Sequence, residues 1–191
     1  MNRFACTATM LAFALAACGS PDSPQEPADA PTTTSAASAA AADGSAMRAV
    51  AMLRTAAGES AGTATITSTD ASTMVSLSTE GLPPGQHGVH VHMTGRCEPP
   101  TFESAGGHWN PGGAQHGLEN PQGQHAGDMP NLTVGPDGRG TLEYQLEGGT
   151  FEGLMDADGS AFVVHASADD QRTDPSGDSG ARIACGVFER G

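Results

Sequence analysis

The 191-residue sequence predicts an all-β sandwich or barrel. Short segments of alternating polar and apolar residues recur along most of the chain, and Gly- and Pro-containing turns separate them. With 26 Gly and 13 Pro the chain has many turn-forming positions, and no stretch sustains the 3.6-residue period of an amphipathic helix. Several short strands of similar length are typical of sandwiches and closed barrels.

The composition excludes several classes of function. The formal net charge is −14, and the eight basic residues are all Arg. Because polyphosphate binding requires a basic surface, we expect no nucleic-acid partner. The same charge disfavours adsorption to anionic lipid. A hydrophobic content of 37% is too low for a polytopic membrane protein.

The first predicted element is a leader at residues 1–17. Arg3 is followed by an apolar run of about fourteen residues, too short for a ~30 Å hydrocarbon core but typical of a signal peptide. The run ends in L-A-A-C and resembles the bacterial lipobox, which implies lipidation of Cys18 as the mature N-terminus. The alternative is an ordinary signal peptide cut after Ala17. Because Gly19 follows rather than Asp, we expect an outer-membrane lipoprotein of a bacterial cell envelope, with its domain facing either the periplasm or the exterior.

Residues 18–45 are predicted to form a disordered tether after the lipidated cysteine. The segment is rich in Pro, Ala, Ser, Thr, Asp and Glu and has no aromatic residue. Such a composition cannot bury enough apolar surface to offset the entropy of ordering. A flexible chain of this length spans about 30 Å. The Ala-rich stretch 35–42 could instead form a short helix, and the folded domain is predicted at 46–191.

The remaining chain contains eight predicted strands. A long Gly-, Pro-, Asn- and His-rich loop lies between His92 and Asp128, and loops of that length are usually functional. Asp156 and Asp158 precede Gly159 as in part of a calcium loop, but no Glu follows at the required spacing, so we expect a turn. The predicted strands are 47–56, 62–68, 74–79, 85–93, 131–134, 142–146, 161–165 and 182–188.

The four cysteines divide into two groups. Cys6 lies in the leader and Cys18 at the lipidation motif, which leaves Cys97 and Cys185 for the exported domain. An even pair in an oxidising compartment favours one disulfide, and closing a loop of this length contributes ~4–5 kcal/mol in the loop-entropy model. The alternative is two buried free thiols.

The segment H-G-V-H-V-H places two histidines on one side of a strand. Because side chains alternate along a strand, His90 and His92 share one face while Val89 and Val91 point into a core. Two imidazoles at this spacing form half of a metal site. His87 lies on the Val face, so we interpret it as a structural histidine bonded to the backbone.

A second group of ligand-type residues follows in the long loop. His108, His116, His125 and Asp128 supply three imidazoles and one carboxylate, which match a closed four-coordinate zinc site. The alternative is a solvated His-rich loop. His165 ends another predicted strand, and the six histidines other than His87 can all be used in two adjacent metal sites.

These motifs together resemble the copper/zinc superoxide dismutase family, in its bacterial secreted branch. The resemblance rests on H-G-V-H-V-H, S-A-G-G-H-x-N-P, H-A-G-D-M-P-N-L, V-V-H and R-I-A-C-G-V, and it covers about 87–188, more weakly from residue 47. It implies an eight-stranded Greek-key β-barrel with long metal-binding loops. It also implies one copper and one zinc per chain, superoxide as substrate, and either a monomer or a homodimer.

The resemblance assigns roles to individual residues. Arg182 and His108 would be catalytic, with His108 shared by both metals, and the Cys97–Cys185 pair would be the family disulfide. Asp169 would be a carboxylate that links ligands of the two sites; taken alone, it could be a surface acid and Arg182 an edge-strand Arg. The implied copper ligands are His90, His92, His108 and His165, and the implied zinc ligands are His108, His116, His125 and Asp128.

The expected function is dismutation of superoxide to oxygen and hydrogen peroxide, protecting the cell envelope. One alternative is a non-catalytic periplasmic copper/zinc-binding lipoprotein, and another is a surface lipoprotein that binds a partner. Arg182 and the complete copper set favour the enzyme. Because Arg172 is the only other basic residue of the preceding loop, we expect weak steering of the anion that depends on Arg182. Trp109 either packs the metal loop or lies at a dimer contact.

Overall fold

A computed structural model describes residues 46–191. The predicted leader, the lipidated Cys18 and the tether with its 35–42 stretch lie outside the described residues. The described chain contains a short 3-10 helix at Glu103–Ala105 and a one-turn helix α1 at Phe151–Leu154. The strands are β1 (Met47–Thr55), β2 (Ser60–Ser68), β3 (Thr73–Thr79), β4 (Gly85–His87), β5 (Val89–His92), β6 (Leu132–Val134), β7 (Gly140–Leu146), β8 (Ala161–His165) and β9 (Arg182–Arg190).

The strands form a curled antiparallel sheet that makes a half-barrel. Seven of them follow the order β5-β8-β9-β1-β2-β3-β7, and β4 pairs with β6 separately. Several neighbours are distant in sequence, such as β3 with β7 and β5 with β8, so long connections cross between hairpins. The predicted all-β Greek-key class is confirmed.

The strand count differs from the prediction at one place. The predicted strand 85–93 is divided at Gly88 into β4 and β5, which pair with different partners. A Cβ at Gly88 would lie 2.8 Å from the Cβ of Ser179, so the chain bends where only glycine fits. The described part of the molecule therefore has nine strands instead of eight.

The core lies inside the curled sheet and follows the alternation of each strand. On β1, Ala49, Ala51 and Leu53 are buried while Met52 is exposed. All five residues of β8 are buried because its second face packs beneath the loop that carries Phe102. This double burial fixes the strand that ends at the metal-binding region.

No helix in residues 46–191 is long and apolar enough to cross a membrane.

Candidate metal centre

Four predicted ligands meet at the edge of the sheet where β5 pairs with β8. His90 and His92 are both on β5, and His165 is the last residue of β8, its antiparallel neighbour. The long loop returns to this edge through an isolated bridge between His92 and His108. We call His90, His92, His108 and His165 the first cluster.

The first cluster presents one unpartnered nitrogen from each ring. These atoms are buried and have no hydrogen-bond partner, although a buried unsatisfied polar atom costs about 1–3 kcal/mol. One ligand atom from each ring lies within 4.8 Å of the others, so one cation can satisfy all four. The unpartnered atoms are His90 Nδ1, His92 Nε2, His108 Nε2 and His165 Nε2.

The opposite nitrogen of each strand-borne ring is held by an oxygen acceptor. His90 Nε2 donates to Asp169 Oδ2 at 2.6 Å, and His92 Nδ1 donates to the Gly106 carbonyl at 2.9 Å. His165 Nδ1 donates to the Gly180 carbonyl at 3.1 Å. These bonds place the ring proton on the outer nitrogen and leave the inner lone pair free for a metal.

The second cluster is His108, His116, His125 and Asp128, the predicted zinc set. Nδ1 of His108 and Nδ1 of His116 each lie 2.9 Å from Asp128 Oδ1. Nδ1 of His125 lies 3.4 Å from the same oxygen. The other oxygen, Asp128 Oδ2, accepts the backbone N–H groups of Gly117 and His125, each at 2.9 Å.

The ring of His108 belongs to both clusters. Its Nε2 is one of the unpartnered nitrogens of the first cluster, and its Nδ1 faces Asp128 in the second. The ring of His90 stacks on that of His108, with centroids 3.8 Å apart, and its ligand atom lies within 4.8 Å of those of His108, His116 and Asp128. His125 is not in that mutually close group and reaches the second cluster through 3.4 Å contacts with Asp128 and His108. Since the unpartnered Nδ1 of His90 joins those of the other three rings, we assign His90 to the first cluster.

Asp169 links the two clusters from behind. Its Oδ2 contacts His90 Nε2, and its Oδ1 accepts from His116 Nε2 at 3.1 Å. The side chain is fully buried, which does not match the alternative of a surface acid. Asn131 holds its backbone from both sides, accepting the Asp169 N–H at 2.7 Å and donating to its carbonyl at 2.8 Å.

The electrostatics of the first cluster favour neutral rings. Burial lowers the pKa of His90 to about 3 and that of His165 to about 4. Burial, followed by the charge of neighbouring His108, holds the pKa of His92 well below its usual range. Burial also lowers the pKa of His108 itself. Neutral imidazole is the form that binds metal.

In the second cluster, hydrogen bonds outweigh burial in setting the pKa of Asp128 and that of His116. Burial favours the neutral acid, but hydrogen bonds from His108 and His116 lower the pKa of Asp128 below its usual range. Bonds from His116 and His90 do the same for Asp169. Burial disfavours the charged ring of His116, yet its hydrogen bonds to both carboxylates raise its pKa to about 9. These anions suit a divalent cation.

Arg182 lines an open cavity of about 840 Å³ beside the first cluster. Its guanidinium is held by two carbonyl oxygens, with Nη1 donating to Phe102 and Nη2 to Gly106, each at 2.6 Å. The cavity also contains His92 and His165. The guanidinium N–H groups of Arg182 therefore line, in a fixed position, the same cavity as three rings of the first cluster.

The disulfide between Cys97 and Cys185 is present and excludes the alternative of two free thiols. It joins β9 to the loop whose carbonyl oxygens at Phe102 and Gly106 hold Arg182. The crosslink therefore fixes, on β9, the loop whose carbonyl oxygens hold the Arg182 guanidinium.

Three further sequence interpretations can be compared with the structure. The ring nitrogens of His87 lie 2.7 and 2.8 Å from backbone carbonyl oxygens, as expected for a structural histidine. Asp156 accepts the backbone N–H of Asp158 and of Gly159, which is a turn. Trp109 is 7% exposed and packs in the core, so it packs the metal loop.

Sequence reasoning missed several residues that hold the clusters. Asn131 lies inside the recognised H-A-G-D-M-P-N-L motif, which was a usable signal. Gly177 has φ +62°, and a Cβ there would lie 1.8 Å from Asp169 Oδ1, so its role appears only once the loops are folded. The carbonyl acceptors at Gly106 and Gly180 carry no sequence signal, because every residue has a carbonyl.

Comparisons with known proteins agree with this geometry. A family model described as copper/zinc superoxide dismutase matches residues 60–188. Superoxide dismutase [Cu-Zn] 2 of Aquifex aeolicus is 42% identical over 150 residues, covering 74% of this chain and 86% of the relative. A solved SOD-like protein from Bacillus subtilis has 43% identity and a TM-score of 0.66, covering 72% and 96% of the two chains. The Cu/Zn superoxide dismutase from Brucella abortus has 29% identity and a TM-score of 0.58, with 74% and 99% covered.

Proposed function

Because the chain belongs to the copper/zinc superoxide dismutase family, we propose that it dismutes superoxide at the first cluster and binds zinc at the second. The reaction converts two superoxide anions and two protons into one oxygen and one hydrogen peroxide. We assign copper to the first cluster because it offers four neutral imidazoles, which support copper in both oxidation states. Zinc suits the second because it offers three imidazoles and a carboxylate.

The observation that carries this proposal is the position of His108. Its two ring nitrogens face different clusters, and the one on the copper side is buried without a partner. A non-catalytic metal binder would not require one ring to be shared between two sites. The sharing supports a centre in which His108 would hold one ion through each ring nitrogen.

The chain's own residues prepare the site for an anionic substrate. When bound, copper supplies one-electron chemistry in both directions and zinc a redox-silent positive charge. Arg182 supplies a local positive charge in the cavity, and its fixed donors can orient the oxygen species. Whenever His108 Nε2 is not bound to the metal, it would hold the proton that peroxide formation requires, while Nδ1 stays directed at the second cluster.

The proposed setting is the bacterial cell envelope. The support is the leader at 1–17 and the L-A-A-C motif at Cys18, followed by the Pro- and Ala-rich tether. The described disulfide fits an oxidising compartment. We therefore propose an outer-membrane lipoprotein whose domain removes superoxide in the periplasm.

The test is metal content together with superoxide consumption on the same purified sample. We expect one copper and one zinc per chain and rapid consumption in the wild type. A His108→Ala variant should lose activity and bind both ions less tightly, because it removes a ligand from each cluster. A wild-type protein that holds both ions but leaves superoxide unconsumed would favour a copper/zinc-binding lipoprotein without activity.

A further inference from the structure

The loop at 169–180 contacts the second cluster through Asp174, a side chain with no role in the mechanism above. Its Oδ1 accepts the backbone N–H of His116 at 2.7 Å. The same oxygen lies 3.7 Å from Nε2 of His125, and the Asp174 side chain is 49% exposed. A single carboxylate oxygen therefore faces two residues of the second cluster from outside.

The orientation of the His125 ring shows which of its nitrogens faces Asp174. Its Nδ1 points into the cluster, 3.4 Å from Asp128 Oδ1, so Nε2 is the outer nitrogen. An imidazole that binds a metal through one nitrogen donates the other N–H to a carboxylate, carbonyl or water. Among the described residues, Asp174 supplies the carboxylate that faces this nitrogen, and at 3.7 Å the contact is longer than a hydrogen bond.

Next to Asp174, loop 169–180 is in direct contact with residues 117–120 of the long metal-binding loop. The N–H of Glu119 donates to the Gln171 carbonyl at 3.0 Å, and Asn120 Nδ2 donates to the Arg172 carbonyl at 3.3 Å. A Cβ at Gly117 would lie 2.3 Å from the Gln171 carbonyl oxygen, so only glycine permits this approach. Asp174 lies at the metal end of this loop–loop interface.

We propose that Asp174 is a positioning residue that latches loop 169–180 onto the second cluster and slows the release of zinc. This inference rests on the proposed assignment of zinc to that cluster. Asp169 accepts from His116 Nε2 on the side shared with His90, whereas Asp174 accepts the backbone N–H of His116 and faces the outer nitrogen of His125 at 3.7 Å. Two carboxylates of one loop thus fix two zinc ligands.

The first test compares Asp174→Asn with Asp178→Asn in the full-length, copper- and zinc-loaded protein. The Asn oxygen at 174 still accepts the His116 N–H, so the variant removes the charge and leaves the backbone contact. Asp178 lies on the same loop, is exposed, and its side chain makes no hydrogen bond within residues 46–191. Zinc transfer to an excess of a coloured chelator should be about 10- to 100-fold faster for Asp174→Asn and unchanged for the control.

A spectroscopic readout separates positioning of the ligand from general loosening of the loop. Cobalt(II) in place of zinc gives visible bands that report ligand geometry. We expect these bands to shift in Asp174→Asn and to match the wild type in Asp178→Asn. Asp174→Ala, which also removes the backbone acceptor, should release zinc faster still.

Two results would overturn the inference in distinguishable ways. Wild-type rates and cobalt spectra in both Asp174 variants would overturn the latch and leave the zinc assignment intact. Wild-type protein that takes up neither zinc nor cobalt would overturn the zinc assignment and the latch together.

Discussion

Arg182 is the one Arg or Lys among the residues that line the cavity beside the first cluster. The chain carries a net charge of −14, and Asp156, Asp158 and Asp174 line the same cavity. An anionic substrate is therefore repelled at long range. Among the residues that line the cavity, Arg182 supplies a positive charge, and two carbonyl oxygens fix its guanidinium in place.

Replacing Arg182 by Ala should lower kcat/KM for superoxide about 10- to 100-fold at low salt, because both local attraction and the donor fork are lost. Salt screens the attraction that Arg182 provides in the wild type, so the ratio of wild-type to variant rate should shrink as ionic strength rises. Stopped-flow or pulse-radiolysis rates across a salt series would measure this. Arg139→Ala, an equal charge change at an exposed turn, is the control and should change little. Equal rates and slopes in wild type and Arg182→Ala would contradict the expectation.

Two cluster residues follow a simple rule of the sequence, whereas those of the long loop were expected from their residue types and from the family resemblance. His90 and His92 share a face through strand alternation, and the structure shows both rings at one cluster. Asn131 and Gly177 obey no such rule. Asn131 matters through its bonds to the backbone of Asp169, and Gly177 through the space it leaves beside that carboxylate. Contacts between distant loops cannot be inferred from local pattern.

At the scale of elements, the strands were predictable and the loops were not. The eight predicted strands correspond to the described strands, except that 85–93 is divided at Gly88. Alternation of polar and apolar residues predicts a strand. The change of pairing strand at Gly88, however, depends on the loops that carry Ser167 and Ser179. The turn of helix α1 was also missed, because four residues are too few to show a helical period.

Helix α1 and the turn before it pack against the Trp109 ring. This residue directly follows His108, and its backbone bonds β5 at Val91 with an N–O distance of 2.8 Å. The Trp109 ring packs against Gly149, where a Cβ would lie 2.2 Å from the ring. The small residue before the helix therefore sets the position of the segment that carries the shared imidazole.

Gly149→Ala should displace Trp109 and destabilise the fold by about 1–3 kcal/mol through overpacking, in addition to the strain of an Ala at φ +74°. Gly148→Ala is the matched control, since Gly148 has φ +78° and a Cβ there would meet only the Ala126 Cβ, at 3.8 Å. Thermal unfolding and the emission of the chain's one Trp measure the two effects. If the two variants unfold alike and Trp109 emission is unchanged, the packing role of this turn is wrong.

At the scale of the whole molecule, net charge and attachment have to be considered together. A protein of charge −14 is repelled by an anionic membrane surface, so charge alone would not hold it there. Stable attachment then requires a covalent lipid and a spacer. Lipid chains contribute about 0.8 kcal/mol of binding free energy for each CH₂ buried in the bilayer, so the chains of the proposed lipid would supply the attachment.

Replacing Cys18 by Ser should therefore convert the proposed lipoprotein into a form released from the cell envelope. In cells producing the full chain, wild type should sediment with membranes and partition into detergent, whereas Cys18→Ser should stay in the aqueous phase. Cys6→Ser changes a cysteine of the proposed leader and should behave as wild type. The domain's dismutase activity should be equal in all three, because the clusters lie in residues 90–169. Aqueous partitioning of the wild type would mean that the L-A-A-C motif is an ordinary cleavage site and that the protein is not lipid-anchored.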